Sequence, residues 1–217
     1  MLLGRERDEV VRLARRLRPD GLVVGTAGNL SARCGDLVAI TPSGLDYDDL
    51  DAGLVCVVDL GGARVECELA PSAELPMHLA AYRRAGVGAV VHTHAPFATA
   101  ISCAEDELPP IHYLIAELGG AVRVAPYATF GTEELAGGLA AALEGRNAAL
   151  LAGHGAITVG DTLAKAYERS LILESIAAAY VRARALGTPR RIPEDEVRVL
   201  IALMADYGQA RPAERER

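Results

Sequence analysis

Val10, Leu13 and Leu17 recur at helical spacing among charged residues, so residues 5–18 are predicted as an amphipathic helix that stops at Pro19. Beyond it the pattern changes to short alternating or wholly apolar runs punctuated by glycine. GTAGNLSAR (25–33) reads as a Gly-rich turn entering a strand, and DLVAIT (36–41) as its antiparallel neighbour. PSG (42–44) is a tight turn, and LVCVVDL (54–60) pairs with ARVECELA (63–70) across Gly61 and Gly62. Ser72 is placed to cap a helix over 73–86 that ends at Gly86. AVVHTH (89–94) is a buried strand, and Pro96 opens the next helix. Residues 111–118 read as helical and 121–125 as extended; Thr132 caps a helix through Leu143, and AALLA (148–152) is a second buried strand. Asp161 is expected to cap a long helix to Leu186, closed by Gly187 and Pro189, with a last helix from Pro193 to Tyr207. Mixed, mostly antiparallel strands with helices on both sides predict one α/β/α sandwich over 1–217, with a flexible tail at 208–217.

Composition narrows the function classes. Half of the 217 residues are apolar, enough for a real core, but tryptophan is absent and aromatics are few. Packing must therefore rest on Ala, Val, Leu and Ile. A formal charge of −7 argues against a nucleic-acid partner. The arginines near both ends alternate with Glu and Asp and read as solvated surface. Four scattered cysteines (Cys34, Cys56, Cys67, Cys103) form no CxxC pair and are expected to be reduced thiols. The first residues carry charge throughout and no apolar run reaches bilayer length, so a soluble, cytoplasmic protein without a membrane partner is predicted.

Against that background three of the five histidines stand out. His92 and His94 are two apart on a predicted strand, so both rings project from one face, the spacing that gives one ion two ligands. His154 follows the second buried strand between Gly153 and Gly155, which let backbone and ring crowd a ligand. Three neutral imidazoles leave an open coordination position, as in a catalytic zinc site. The competing reading is a set of satisfied core histidines. Glu74, at the start of a predicted helix, is the candidate base beside such a site. It serves equally well as a carboxylate complementing the helix dipole.

Three Gly/Ser/Asn turns lie in the first third of the chain: GTAGN (25–29), TPSG (41–44) and PSAE (71–74). Each offers backbone N–H groups or hydroxyls to an anion, the last at a helix N-terminus. Singly they are ordinary turns. Neither GxGxxG nor GxxxxGK[ST] occurs, so nucleotide binding has little support.

Taken in order, GTAGNLSAR, ITPSG, PSAE, VVHTHA, PPIHYLIAELGG, APYATFGTEEL, LLAGHGAI and the late DYG resemble the class II aldolase/adducin-like family over nearly the whole chain. That resemblance implies one zinc ion per subunit on His92, His94 and His154, with Glu74 as fourth ligand at rest and as catalytic acid/base. Gly28, Asn29, Ser43, Gly44, Ser72 and the Ala73 backbone would cradle a substrate phosphate. Ser43 stands where the family often has Thr, and Ala73 where it often has a second Ser; the second change removes a hydroxyl from the cradle. Tyr113 would reach into a neighbouring subunit's site and Tyr207 would close over it, which implies a homotetramer with active sites between subunits. The implied reaction is reversible retro-aldol cleavage of a ketose 1-phosphate, such as L-fuculose 1-phosphate, into dihydroxyacetone phosphate and an aldehyde such as lactaldehyde. Three relatives of that reading stay open: cleavage of 5-deoxyribulose 1-phosphate, 4-epimerisation of ribulose 5-phosphate, and a non-catalytic adducin-like module. All three zinc histidines are present, which argues against the last.

Overall fold

The computed structural model describes residues 1–205, so Tyr207 and the 208–217 tail lie outside the described residues. Helix α1 (Gly4–Ala14) precedes β1 (Asn29–Cys34), β2 (Leu37–Ile40), β3 (Cys56–Asp59) and β4 (Arg64–Glu66). Then come α2 (Leu75–Tyr82), β5 (Ala89–Thr93), α3 (Pro96–Ala104), β6 (Glu107–Leu108) and a 3-10 helix over Tyr113–Leu118. β7 (Val122–Ala125), α4 (Glu133–Ala142), β8 (Ala148–Leu151), β9 (Gly155–Gly160), α5 (Leu163–Leu186) and α6 (Glu194–Ala205) complete the order. The strands form one sheet, β4-β3-β2-β1-β5-β9-β8-β7-β6, in which only β7 and β8 run parallel. This is the predicted α/β sandwich with a mixed sheet.

The period of two along each strand divides the core. Leu30, Ala32, Ala89, Val91 and Ala156 pack under α1, α3 and α5. Val38, Ile40, Val90, Ile157 and Val159 face α2 and α4 on the other side. Asn29 pairs with His92 and Ser31 with Val90, so Asn29, Ser31 and His92 share the α2 face with residues of hydrophobic character. The sheet thus delivers three polar side chains to the helix that begins beside Glu74.

Several predicted boundaries shift. Helix α1 ends at Ala14 and residues 15–18 continue as tighter turns, with Arg16 N bonded to Leu13 O and Leu17 N to Ala14 O. Ser72 is not the N-cap of α2. Glu74 holds that position, and Ser72 Oγ accepts from the Glu74 N–H at 3.2 Å. Thr162, not Asp161, caps α5, its hydroxyl accepting from Lys165 N at 3.2 Å while Asp161 accepts from Thr162 N. Residues 111–118 are a 3-10 helix rather than an α-helix, held at its start by His112 Nδ1, which accepts from Leu114 N. Strands β6 and β9 were not anticipated. The second matters more, because β9 sits between β5 and β8 and brings His92 to His154. It packs so closely that a Cβ on Gly155 would collide with the Thr93 carbonyl oxygen. Downstream of the histidines, Glu174 on α5 accepts from Phe97 N and Ala98 N, both at 2.9 Å, and so caps α3 where no local side chain does.

Candidate metal centre

Each ligand candidate is held by a different local device. His92 is the last inward position of β5 and is fully buried; its Nδ1 donates to the Ala156 carbonyl on β9 at 3.0 Å. That bond places the ring proton on Nδ1 and leaves a lone pair on Nε2. His94 follows the end of β5, its backbone N–H bonded to Leu22 O at 3.0 Å. His154 occupies the short connection between β8 and β9, after Gly153 at φ +62°. Glu74 points in from the start of α2.

The four converge. His92 Nε2 lies 2.9 Å from His94 Nε2 and 3.1 Å from Glu74 Oε2, and His154 Nε2 lies 3.1 Å from Glu74 Oε1. One donor atom from each residue falls within 4.8 Å of all the others. Burial disfavours a charged Glu74, but the adjoining His154 and His92 rings and the Asn29 Nδ2 donor outweigh it and hold the carboxyl well below the usual carboxylate range. Burial, then repulsion from His92 and His154, lowers His94 to about 4, so the imidazole is neutral at physiological pH. Glu74 Oε1 is buried and makes no hydrogen bond of sound geometry among the described residues. An ionised carboxylate with an unsatisfied oxygen, facing bare imidazole nitrogens, fits a divalent cation of borderline softness.

Beside the cluster lies a cavity of about 620 Å³. The three turns singled out in the sequence meet on its wall. A bridge between Pro42 and Pro71, with Ser43 N bonded to Ala70 O and Ser72 N to Thr41 O, joins TPSG to PSAE. The Tyr47 hydroxyl donates to Ala27 O at 2.9 Å and Gly28 O at 2.7 Å, joining GTAGN to the same wall. Gly28, Asn29, Ser43, Gly44, Ser72, Ala73, Glu74, His94 and His154 all line the cavity. His92 lies behind them. Tyr113 is 52% exposed and does not line the cavity of its own chain.

Gly28 ties the turn to the metal strand. It sits at φ +82°, and a Cβ there would lie 2.8 Å from the His92 carbonyl oxygen and 2.7 Å from Val23 Cγ1. Gly28→Ala is expected to cost about 2 kcal/mol or more, from backbone strain plus the clash. A denaturant midpoint unchanged from wild type would contradict that packing.

The comparisons agree with this geometry. Residues 8–181 match the profile of the class II aldolase and adducin N-terminal domain. The chain belongs to the class II aldolase family. A 5-deoxy-D-ribulose 1-phosphate aldolase of Bacillus thuringiensis serovar kurstaki is 42% identical over 212 residues, 96% of this chain and 100% of the relative. An L-fuculose phosphate aldolase of Escherichia coli K12 is 41% identical over 191 residues, 87% of this chain and 88% of the relative. A solved L-fuculose 1-phosphate aldolase superposes with a TM-score of 0.92 at 38% identity, covering 94% of this chain and 98% of that one. This class II aldolase is therefore a lyase, and its candidate metal site is Glu74, His92, His94 and His154.

Sequence reading missed two residues that shape the aldolase site. Tyr47 carried no local signal. His78 did carry one, since it lies four residues after Glu74 and so on the same side of α2. No described helix is long and apolar enough to cross a membrane.

Proposed function

We propose that this aldolase is a cytoplasmic, zinc-dependent enzyme that reversibly cleaves a ketose 1-phosphate bearing a terminal methyl group into dihydroxyacetone phosphate and a short aldehyde. The observation that carries the reading is a four-donor cluster of which Glu74, His94 and His154 line a cavity bounded by three joined Gly/Ser turns. Zinc bound by His92, His94, His154 and Glu74 would supply an electrophile for the oxygens on C2 and C3 of the sugar.

The chain's own residues do the rest. Gly28, Asn29, Ser43, Gly44, Ser72 and the Ala73 backbone hold the phosphate, the part common to all candidate substrates, and its binding energy positions the reacting carbons. In the synthetic direction the ionised Glu74 carboxylate removes a proton from the dihydroxyacetone phosphate carbon that becomes C3, and the electron pair left there forms the C3–C4 bond; in cleavage that bond's pair returns to C3 and the protonated Glu74 gives the proton back. In synthesis the Tyr113 hydroxyl of a neighbouring subunit gives its proton to the aldehyde oxygen that becomes the C4 hydroxyl, and in cleavage the Tyr113 phenolate takes it back. Exposure of Tyr113 away from its own cavity supports a shared site in a homotetramer. Four free cysteines support a reducing, cytoplasmic setting.

L-fuculose 1-phosphate and 5-deoxyribulose 1-phosphate share the phosphate end and yield lactaldehyde and acetaldehyde respectively. Both aldehydes end in a methyl group, which the apolar surface of Val24 and Phe130 on the cavity suits. Comparing kcat/KM for the two, with ribulose 5-phosphate alongside, tests the reading. Cleavage of one or both is expected; faster conversion of ribulose 5-phosphate to its 4-epimer would overturn it.

A further inference from the structure

Behind Glu74 a line of buried polar side chains runs back along α2. Asn29 Nδ2 donates to Glu74 Oε2 at 2.8 Å, and Asn29 Oδ1 lies 2.5 Å from His78 Nε2. His78 Nδ1 lies 2.6 Å from Ser31 Oγ, which lies 2.6 Å from the Tyr82 hydroxyl. His78 and Ser31 are completely buried, and Asn29 and Tyr82 nearly so. Burying this many polar groups is costly unless each is satisfied, and here each is.

The chemistry of the groups fixes the direction of every bond. An ionised carboxylate only accepts, so the Asn29 amide must present its NH2 to Glu74 and its carbonyl to His78. His78 Nε2 must then carry the ring proton and Nδ1 the lone pair. Ser31 donates to Nδ1, and Tyr82 donates to Ser31. Burial lowers His78 to about 3, which keeps the ring neutral throughout. An amide does not pass a proton along, so the chain orients and does not conduct.

We propose that His78 is a positioning residue for proton transfer at Glu74: its Nε2–H locks the Asn29 amide, which in turn holds Glu74 Oε2 in register with C3 of the substrate. This rests on the reading of Glu74 as the acid/base of ketose 1-phosphate cleavage. The His78 side chain does not line the cavity and hydrogen-bonds to Asn29 and Ser31, not to any of the four metal-ligand candidates. Its effect is therefore expected in kcat and not in substrate affinity.

Two measurements test it. Neutron diffraction from zinc-loaded wild-type crystals should place a deuteron on His78 Nε2 and none on Nδ1, with the Asn29 ND2 group facing Glu74. A deuteron on Nδ1, or the Asn29 carbonyl toward Glu74, would overturn the proposal without any variant needing to fold. In the second, His78→Phe should lower kcat by about 10–100-fold with zinc content retained, the size seen for supporting partners of a metal site. KM should stay within about threefold, as for an interaction made only in the transition state. His78→Gln, whose amide can still donate to Asn29, should recover most of that kcat. Equal activity in all three proteins, or a loss in His78→Phe that Gln does not repair, would overturn it. A wild-type protein that cleaves neither phosphate ester removes the underlying reading instead, a failure visible before any substitution is made.

Discussion

Glu74→Gln is expected to lower kcat for ketose 1-phosphate cleavage by about 10³-fold, within the range general acid/base groups contribute. The substitution keeps the shape of the side chain, so the partners of Glu74 can be met. Asn29 Nδ2 can donate to the new amide oxygen, as it does to Glu74 Oε2 at 2.8 Å. What disappears is the ability to take and return a proton. Three imidazoles remain, so zinc content should stay near stoichiometric, and binding of dihydroxyacetone phosphate should change little because the phosphate turns are untouched. Exchange of the transferable carbon-bound proton of dihydroxyacetone phosphate with solvent, followed by NMR in deuterated buffer, isolates this step from aldehyde chemistry. The variant should lose that exchange together with cleavage. Unimpaired exchange would move the proton transfer to another group.

The second large effect is expected at His92. His92→Ala removes a fully buried ring whose Nε2 faces Glu74 and His94 and whose Nδ1 satisfies the Ala156 carbonyl. Two imidazoles and a carboxylate are left, with a gap where the ring was. The protein should purify with little zinc and lose activity by on the order of 10³-fold or more, since the ion supplies several kcal/mol of charge stabilisation. Stability should fall as well, by about 2–4 kcal/mol, from the cavity and the orphaned carbonyl. Full zinc occupancy with near-normal kcat in His92→Ala would place the metal elsewhere.

The parts of the site that were legible in the sequence are those with short-range signals. His92 and His94 are two apart on a strand, His154 sits between glycines, and the three turns are rich in Gly and Ser. Their meeting was not legible, because it depends on pairing across the chain. Strand β9 is absent from the prediction because GAITVG begins and ends in glycine and follows Gly153, yet it carries the Ala156 carbonyl that fixes the His92 tautomer, 64 residues away in sequence. The same holds for Asn29 and Glu74, 45 residues apart, brought together because β1 pairs with β5 and α2 packs over that face. The caps predicted at Ser72 and Asp161 lie two positions and one position early, because each of those side chains accepts from the N–H of the residue at the cap, Glu74 N and Thr162 N, and not from the first turn of the helix. The fold class survived these errors because the short apolar runs of β2, β5 and β8 and the alternation along β1 do not depend on where any helix begins.

The central claim is metal-dependent cleavage of a ketose 1-phosphate, and dihydroxyacetone phosphate release tests it most directly. Purified protein would be assayed with L-fuculose 1-phosphate and with 5-deoxyribulose 1-phosphate, before chelation, after exhaustive chelation, and after Zn²⁺ is added back. The account predicts release from at least one substrate, its loss with the metal, and its return with zinc. Release that persists undiminished in metal-free protein, or no release from either substrate with zinc bound, would contradict it.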